Sequence, residues 1–304
     1  IQLLGYSHDE FLGKTLWDIG AFRDSALSRA EFSDLQIKGH IRYDNLPLET
    51  KDGRSIPVEF VSNIYECAGI NVIQCNVRDN TKRHLAEIEL RATSRALKML
   101  SESNVALVKA TTETDLLNEY CRIAVETGGY RMAWIGFAAA GPEKHIEPIA
   151  HYGHEDGYLV TCNITWDETE RGRGPVGRAI RTEQVQFVEN IETDPSYSPW
   201  RVQAWKRGYR SMIALPFKLT SQTMACLNLY GARIDSWSVA ERKLLQEIAS
   251  DIGFGVVALR TAIAKFDYQE KLRESLEKTI QVIADTGEER DSYTGGHQRR
   301  VANI

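Results

Sequence analysis

The chain changes from a helical to a strand pattern within Gly128-Gly129-Tyr130-Arg131-Met132-Ala133-Trp134-Ile135-Gly136-Phe137-Ala138. Residues 114–127, which precede this run, repeat apolar side chains every three or four positions, as one side of a helix does. Paired glycines are typical of a helix end, and the apolar run from Tyr130 is typical of a buried strand. This part of the chain is therefore expected to fold as an α+β domain.

More strands and a glycine-rich turn follow further along the chain. Strands are predicted at residues 146–152, 186–188, 211–219 and 224–230. A helix is expected to begin inside Gly172-Arg173-Gly174-Pro175-Val176-Gly177, because Pro175 suits the first helical turn, where its missing N–H costs nothing.

This order of elements resembles a GAF domain over residues 101–260. The resemblance is carried by the glycine-rich turn, by Arg207-Gly208-Tyr209-Arg210-Ser211, by Ala214-Leu215-Pro216-Phe217 and by the closing Leu244-Leu245-Gln246-Glu247-Ile248-Ala249. It implies an antiparallel sheet flanked by helices. If the GAF pocket is occupied, its expected lining is Trp134, Trp166, Tyr209 and Ser211. The ligand is not named, because no cysteine is placed for bilin attachment and no cyclic-nucleotide fingerprint is present.

The three glycines of the turn also fit the dinucleotide pattern G-x-G-x-x-G, and Glu192 lies twenty residues after Gly172. The context does not fit a nucleotide site. Residues 166–171 form a polar loop rather than a buried strand, and no βαβ unit follows. We therefore interpret the glycines as a loop-to-helix junction.

A metal site in this domain is not expected from its histidines. His145, His151 and His154 are close in sequence, but no cysteine or carboxylate cluster completes a convincing ligand set beyond Glu155 and Asp156. No metal or other cofactor is therefore assigned to the GAF-like part of the chain.

The first segment, residues 1–82, carries a second resemblance. Leu4-Gly5-Tyr6-Ser7-His8-Asp9-Glu10 predicts a short helix capped by Ser7, Lys51-Asp52-Gly53-Arg54 predicts a hairpin turn, and Arg78-Asp79-Asn80-Thr81 closes a strand. In this order the three runs resemble the C-terminal part of a PAS domain, an antiparallel sheet with helices. The missing strands are expected before Ile1, and both a ligand-binding and an empty PAS pocket remain open.

Two helical linkers are predicted, at residues 83–100 and 261–283. The first has one apolar stripe, at Leu85, Ile88, Ala92, Ala96 and Met99. The second continues a row with steps of three and four, typical of a coiled coil: Leu245, Ile248, Ile252, Val256, Leu259, Ile263 and Phe266. The row jumps six residues to Leu272 and resumes at Leu276, Ile280 and Ile283. We expect a homodimer through these linkers, with docking on a neighbouring domain as the alternative for each helix.

The chain ends in a third resemblance. Asp291-Ser292-Tyr293-Thr294-Gly295-Gly296-His297-Gln298-Arg299-Arg300-Val301 is similar to the opening of an HD-GYP domain, so residues 284–304 are expected to start an all-α HD domain. The resemblance implies that His297 is a metal ligand and that the complete domain binds iron or manganese and hydrolyses cyclic di-GMP. Ser292 and Gly295 depart from the usual residues. The other ligands are expected beyond Ile304, so no catalytic residue is assigned to this chain.

Composition limits the other function classes. The 304 residues carry a formal net charge of −5 with both signs mixed along the chain, and no basic patch indicates a nucleic-acid partner. No apolar run reaches the roughly 20 residues that a membrane span needs. The five cysteines are scattered, which is typical of reduced thiols in a cytoplasmic protein.

Together these patterns predict the sensory region of a bacterial signalling protein, in which PAS and GAF domains control an HD-GYP phosphodiesterase. A different output is the alternative: a binding and dimerisation module of a histidine kinase or a diguanylate cyclase, because PAS and GAF domains serve all of these. The small molecule that either sensor binds is unknown from the sequence.

Overall fold

A computed structural model describes residues 2–12, 35, 37–139, 141–220, 223–234 and 237–290. The chain divides into two compact units, Ile1–Ala92 and Thr93–Ile304. Each is an assembly of helices with an antiparallel sheet, so the predicted α+β class is confirmed. None of the described helices is long and apolar enough to cross a membrane.

In the first unit the helix α1 (His8–Phe11) is held by the predicted cap. The Ser7 Oγ accepts a hydrogen bond from the Glu10 amide at 3.2 Å, and the Glu10 carboxylate accepts one from the Ser7 amide at 3.0 Å. These two bonds satisfy amide groups that a helix start leaves without intrahelical partners.

The first unit also contains a three-stranded sheet in the order β1 (His40–Glu49), β2 (Ser55–Cys67), β3 (Ile70–Asp79). The predicted hairpin turn joins β1 to β2, and the Thr50 hydroxyl closes it by donating to the Arg54 carbonyl at 2.9 Å. Val58 and Phe60 are buried on β2 and lie on the same face, because successive residues of a strand alternate between faces.

The helix α2 (Thr81–Lys109) contains the boundary between the units and is longer than the predicted linker at residues 83–100. Its predicted apolar stripe is not buried evenly. Leu85 and Ile88 are exposed, whereas Ala96 and Met99 are 1% exposed. Only the C-terminal part of the stripe is therefore a packing surface.

The second unit is built on a five-stranded antiparallel sheet in the order β5-β4-β8-β7-β6. The strands are β4 (Met132–Ala138), β5 (Ile146–Gly153), β6 (Gln186–Val188), β7 (Ser211–Lys218) and β8 (Met224–Gly231). All five strands predicted from the sequence are present, and their ends differ from the predicted ends by two residues at most.

Two helices cover one face of this sheet. They are α3 (Glu113–Glu126), which packs on β4 and β5, and the long α7 (Val239–Arg290), which packs on β7 and β8. The Thr112 Oγ1 accepts from the Asp115 amide at 3.1 Å and so caps α3. Ala133 and Ile135 of β4 point into this helical layer.

Three short helices lie at the other face: α4 (Tyr158–Cys162), α5 (Pro175–Thr182) and α6 (Arg201–Lys206). Met132 and Trp134 of β4 point to this side, because successive residues of a strand alternate between faces. The sheet therefore separates two cores, an aliphatic one under α3 and α7 and an aromatic one under α4 and α5.

The glycine-rich turn has the role predicted for it, a junction into a helix. Pro175 opens α5 and Gly174 is its N-cap. A Cβ at Gly177 would overlap the Gly172 carbonyl oxygen and approach that of Thr165 to 2.6 Å. The glycines are thus needed for close packing of the turn on the start of α5.

Candidate functional site

A cleft of about 410 Å³ opens between β5 and α4 on the aromatic side of the sheet. Trp134, which is fully buried, forms part of its wall. The remaining lining residues are His145, Ile146, Pro148, Leu159, Val160, Asn163 and Ile164. Among the described residues that line the cleft there is no lysine, arginine or carboxylate, and apolar side chains share its surface with the hydrogen-bonding groups of His145 and Asn163.

Beside Trp134 lies a buried aromatic cluster, which we define as Trp134, Tyr158, Tyr197, Tyr209 and Tyr230. The Tyr158 ring stands edge-on to both Tyr209 and Tyr230, with ring centroids 5.2 and 5.7 Å apart. Tyr209 and Tyr230 are closer, at 4.7 Å. These geometries are the edge and tilted contacts that aromatic quadrupoles favour.

The phenols of the aromatic cluster are tied together by hydrogen bonds. The hydroxyl groups of Tyr158 and Tyr197 are 2.6 Å apart, and the Trp134 Nε1 donates to the Tyr230 hydroxyl at 3.4 Å. The Tyr209 hydroxyl donates to the His154 carbonyl. Since hydroxyl groups can both donate and accept, this network can reorganise around a polar group that enters from the cleft.

Burial keeps these groups neutral. It raises the pKa of Tyr230 to about 12 and raises the pKa values of Tyr158 and Tyr197 well above the ordinary value of 10. The neighbouring Cys162 thiol also has its pKa raised by burial, to about 12. At neutral pH the buried interior of the site therefore presents hydroxyls and a thiol rather than charges.

The short helix α4, which forms one wall of the cleft, is held from both ends. At its start the Glu155 carboxylate accepts from the amides of Gly157 and Leu159, at 2.8 and 2.6 Å. At its end the Cys162 carbonyl accepts from the Trp200 Nε1 at 2.8 Å. The Arg207 Nε also donates to the Glu155 carbonyl at 3.0 Å. A ligand in the cleft would therefore contact a wall that these hydrogen bonds and the buried side chains of Tyr158 and Cys162 hold in place.

The structure brings together three of the four predicted pocket residues on one side of the sheet. Trp134 and Tyr209 belong to the aromatic cluster, and Trp166 packs against the edge of this core with its Nε1 donating to the Ala139 carbonyl at 3.2 Å. Trp166 does not line the cleft, and neither does Tyr209, which lies beneath it. Three of the predicted residues thus lie on the side of the sheet that carries the cleft, and only Trp134 lines it.

Ser211 is a correction to the predicted pocket. It alternates with Ile213 and Leu215, which point into the core under α3 and α7. Its hydroxyl donates to the Arg233 carbonyl at 2.8 Å, in space left by the missing side chain of Gly231. Strand parity puts Ser211 on the face opposite Trp134, so its role is to pack the end of β7.

Sequence reasoning missed Tyr158, Tyr197 and Tyr230, which contribute three of the five rings of the aromatic cluster. Tyr230 was predictable from the sequence. It lies in a predicted strand, where alternation puts it on the same face as Met224 and Cys226. Tyr158 lies in α4 and Tyr197 lies in a 3-10 helix, Pro195–Trp200, 39 residues further along the chain, and no local pattern connects them.

The described residues contain no group of three or more His, Cys, Asp or Glu side chains that could hold a metal ion. His154 instead lies 3.0 Å from the Asp156 carboxylate through its Nε2. His297, the predicted metal ligand, lies outside the described residues, as does the rest of the run from Asp291 to Val301.

A larger open groove, of about 710 Å³, lies between α2 and α3. Charged side chains make up much of its lining: Glu102, Lys109, Asp115, Glu119 and Arg122. Arg122 already donates to Glu119 at 2.6 Å and to Glu126. A small molecule there would compete with solvated ion pairs, so the smaller cleft beside Trp134 is the better candidate for a ligand site.

Comparison with known proteins identifies this part of the chain. Residues 110–257 match the family model of the GAF domain, so the second unit contains a GAF domain, as predicted from the sequence. No curated protein sequence matches the chain.

Solved structures with a similar fold include three that illustrate the range of proteins. One is a GAF domain of a phosphoenolpyruvate-protein phosphotransferase from Coxiella burnetii (13% identity, 57% of this chain and 98% of that chain, TM-score 0.48). Another is free methionine-R-sulfoxide reductase from Neisseria meningitidis (16% identity, 56% of this chain and 93% of that chain, TM-score 0.47). A third is a phycoerythrobilin-bound GAF domain of a cyanobacterial phytochrome (12% identity, 55% of this chain and 97% of that chain, TM-score 0.42).

Proposed function

We propose that this chain is the sensory region of a cytoplasmic bacterial signalling protein that hydrolyses cyclic di-GMP. In this proposal a PAS domain at residues 1–82 and the GAF domain control a C-terminal HD-GYP phosphodiesterase. The observation that carries the proposal is the run from Asp291 to Val301, which resembles the opening of an HD-GYP domain and follows a long helix that leaves a GAF domain.

His297 would be one ligand of the iron or manganese ions of the complete HD-GYP domain. Its residue type suits this role, because neutral imidazole is a good ligand for both metals. The bound metal ions would supply Lewis-acid activation of the phosphodiester and of the attacking water. The contribution of this chain would be the histidine and the helix α7 that joins it to the sensor.

The GAF domain would bind a small uncharged molecule in the cleft beside Trp134. Burying a charge against Trp134, Ile146 and Leu159 would cost free energy, because no opposite charge lines the cleft. A planar ring would instead contact these side chains, and a neutral polar group could hydrogen-bond to Asn163 or His145. Binding would favour one position of α4 and of the strands under it, and so one arrangement of α7.

The proposed enzyme output is tested by cyclic di-GMP hydrolysis in the full-length protein. We expect His297→Ala to abolish hydrolysis and to lower the bound iron or manganese measured by elemental analysis, because the metal loses a ligand. The matched control is His151→Ala, which replaces an exposed histidine on β5. It should keep both the hydrolysis and the bound metal.

Unchanged hydrolysis by His297→Ala would contradict the assignment of His297. If the wild-type protein hydrolyses no cyclic di-GMP but phosphorylates itself with ATP, or makes cyclic di-GMP from GTP, the kinase or cyclase alternative is supported instead. Either result leaves the GAF domain as a sensor.

The proposed ligand class is tested with benzamide and benzoate, which have nearly the same shape and differ in charge. We expect saturation-transfer NMR to detect benzamide on the chain and not benzoate. Val160→Trp should abolish the benzamide signal, because Val160 lines the cleft and is 88% exposed, so a larger side chain can fill the cleft without disturbing the core.

Val202→Trp is the matched control for Val160→Trp, since Val202 is also exposed, at 65%, and lies outside the cleft lining. It should leave the benzamide signal unchanged. An equal signal from benzoate, or a benzamide signal that survives Val160→Trp, would show that the cleft does not select uncharged molecules.

A further inference from the structure

The helix α7 has two apolar sides, and only one of them is buried by the GAF domain. Leu245, Ile248, Ile252 and Val256 are at most 1% exposed and pack on the sheet. Phe254 lies two residues from both Ile252 and Val256, which is about 200° around the helix. It is 70% exposed, so it points away from the sheet on the outside of the domain.

The row that faces the sheet does not continue as an apolar seam beyond the domain. Ile263 and Phe266 continue it, but the next steps of four, three and four residues reach Glu270, Arg273 and Glu277. Arg273 donates to Glu270 and to Glu277, each at 3.2 Å. This side of α7 therefore becomes an exposed ladder of ion pairs, which favours contact with water.

A continuous apolar row lies on the other side. We define the outer stripe as Phe254, Val257, Thr261, Ala264, Tyr268, Leu272, Leu276, Ile280 and Ile283. Its steps are all three or four residues, and Ile283 returns to within about 20° of the direction of Phe254 on a straight helix. The large side chains of the outer stripe are 39–70% exposed.

The outer stripe removes the six-residue jump that the sequence pattern contains. The jump arises only if Phe266, the last apolar residue of the sheet-facing row, is followed by Leu272 in the same row. Leu272 belongs to the outer stripe instead. Along the outer stripe, Leu272 follows Tyr268 at the ordinary step of four. The apolar pattern of α7 is therefore two overlapping rows rather than one interrupted row.

We propose that the outer stripe is the contact surface for a second copy of this chain, in a parallel two-helix seam that begins at Phe254 on the GAF domain. This inference rests on the proposed sensor acting as the homodimer that we expect from its helical linkers. It adds which side of α7 forms the seam and the residue at which the seam begins. Because Phe254 and Val257 lie on the part of α7 that packs on β7 and β8, the two GAF domains come together as well.

Three features of the outer stripe fit a second copy. It is about 43 Å long at 1.5 Å per residue, so another long helix is needed to cover it. Steps of three and four are the spacing of helices that pack along a shared seam. Residues 263–283 carry four basic and four acidic side chains, so two copies side by side have no net charge repulsion. A two-fold axis between the two copies would also place the outer stripe of one copy against the outer stripe of the other.

Matched variants on the two sides of α7 test the seam. Ile263 and Leu276 are 56% and 55% exposed, and Phe266 and Tyr268 are 63% and 68% exposed, so each pair differs in side rather than in burial. The measurement is the dissociation constant of the whole chain by sedimentation equilibrium. We expect a wild-type dimer, and Leu276→Glu and Tyr268→Glu should each raise the dissociation constant by about tenfold or more, because a charge enters the seam.

The matched variants Ile263→Glu and Phe266→Glu should leave the dissociation constant within about threefold of the wild type. The proposal is overturned if these two dissociate the dimer and the outer-stripe variants do not. A monomeric wild-type chain would overturn both this seam and the dimer in the proposed sensor. Neither result changes the hydrolysis and benzamide tests, so failure of the seam is distinguishable from failure of the proposed enzyme or ligand.

Cross-linking tests the parallel direction. In a parallel seam Leu276 lies opposite Leu276 of the second copy, so Leu276→Cys should form an oxidised dimer, whereas Ile263→Cys should give no more dimer than the wild-type chain with its five cysteines. An antiparallel seam would leave Leu276→Cys at the wild-type background and would overturn the parallel arrangement.

Discussion

At the scale of single residues, the glycines of the turn before α5 act through the atoms that they touch. Gly177 faces the carbonyl oxygens of Gly172 and Thr165, and Gly174 faces the Trp200 ring. Arg181 adds to the same turn by donating to the carbonyls of Trp166 and Gly172, at 3.0 and 2.6 Å. A nucleotide would need this space, which backbone and ring atoms already fill.

Gly177→Ala should therefore destabilise the GAF domain by about 1–3 kcal/mol, because the new methyl group meets backbone atoms that cannot move independently. Gly141→Ala is the matched control. Nothing lies within 4 Å of a Cβ at Gly141, so its effect should stay within about 0.5 kcal/mol. Urea unfolding followed by tryptophan fluorescence measures both, since five of the six tryptophans lie within residues 110–257. Equal stability of the two variants would contradict the proposed contact.

The buried phenols predict a loss of stability at high pH. The pKa of Tyr230 is about 12 in the folded chain, and the pKa values of Tyr158 and Tyr197 are also raised by burial, whereas an unfolded tyrosine titrates near about 10. A pKa raised by folding gives stability that is complete below about pH 10 and is lost as the pH rises toward the folded value. The free energy of unfolding should therefore fall between about pH 10 and pH 12.

Comparing variants isolates this effect from other titrating groups. Tyr197→Phe removes one buried phenol, so its free energy of unfolding should fall less steeply with pH, by up to about 1.4 kcal/mol per pH unit. Tyr65→Phe removes a phenol that is 47% exposed and lies outside the outer stripe, and it should follow the wild-type slope. Urea unfolding at a series of pH values measures the slopes. Identical slopes for Tyr197→Phe and the wild type would mean that the Tyr197 phenol ionises in the folded chain as readily as in the unfolded one.

At the scale of elements, α7 is fixed to the GAF domain up to the residue at which its sheet-facing row becomes exposed. Arg260 donates to both Glu113 carboxylate oxygens, at 2.8 and 2.7 Å, and its guanidinium lies 5.5 Å from the centre of the Phe137 ring. Val256 is buried and Ile263 is exposed. The bidentate pair therefore marks where α7 leaves the start of α3.

If the cleft beside Trp134 binds a ligand as proposed, this position would link the cleft to the helix α7. Phe137 and Trp134 belong to the same strand, β4, so a ligand that displaces Trp134 can displace Phe137 and the Arg260 side chain above it. The coupling would act through one short strand and one ion pair, and it would reach α7 where the outer stripe begins to leave the domain.

At the scale of the whole molecule, both cores of the GAF domain are made by residues between Ala96 and Val256. The first unit has a small core of its own around Leu4, Leu48 and Val58. The PAS assignment of the first unit remains a prediction, because only its three-stranded sheet and its capped helix have been described. The HD-GYP assignment also remains a prediction, because residues 284–290 are the end of α7 and residues 291–304 lie outside the described part of the chain.

The sequence by itself determined the five strands of the GAF domain and its helices α3, α5 and α7, but not the short helices α4 and α6. Helix and strand periods, paired glycines and Pro175 are local signals, and each strand in residues 110–257 was predicted within two residues of its observed ends. The alternation along β4 was also predictable, because a buried strand places Trp134 on one face and Ala133 and Ile135 on the other.

Only the tertiary structure decided what meets across the fold. Ser211 lies on the wrong face for the pocket because strand parity, counted from the observed register, puts it with Ile213 and not with Met212. Tyr158 and Tyr197 meet because the 39 residues between them fold back on the sheet, and no local period encodes that path. The two rows of α7 became separable because burial differs between them, and burial depends on what packs against a helix rather than on its own spacing.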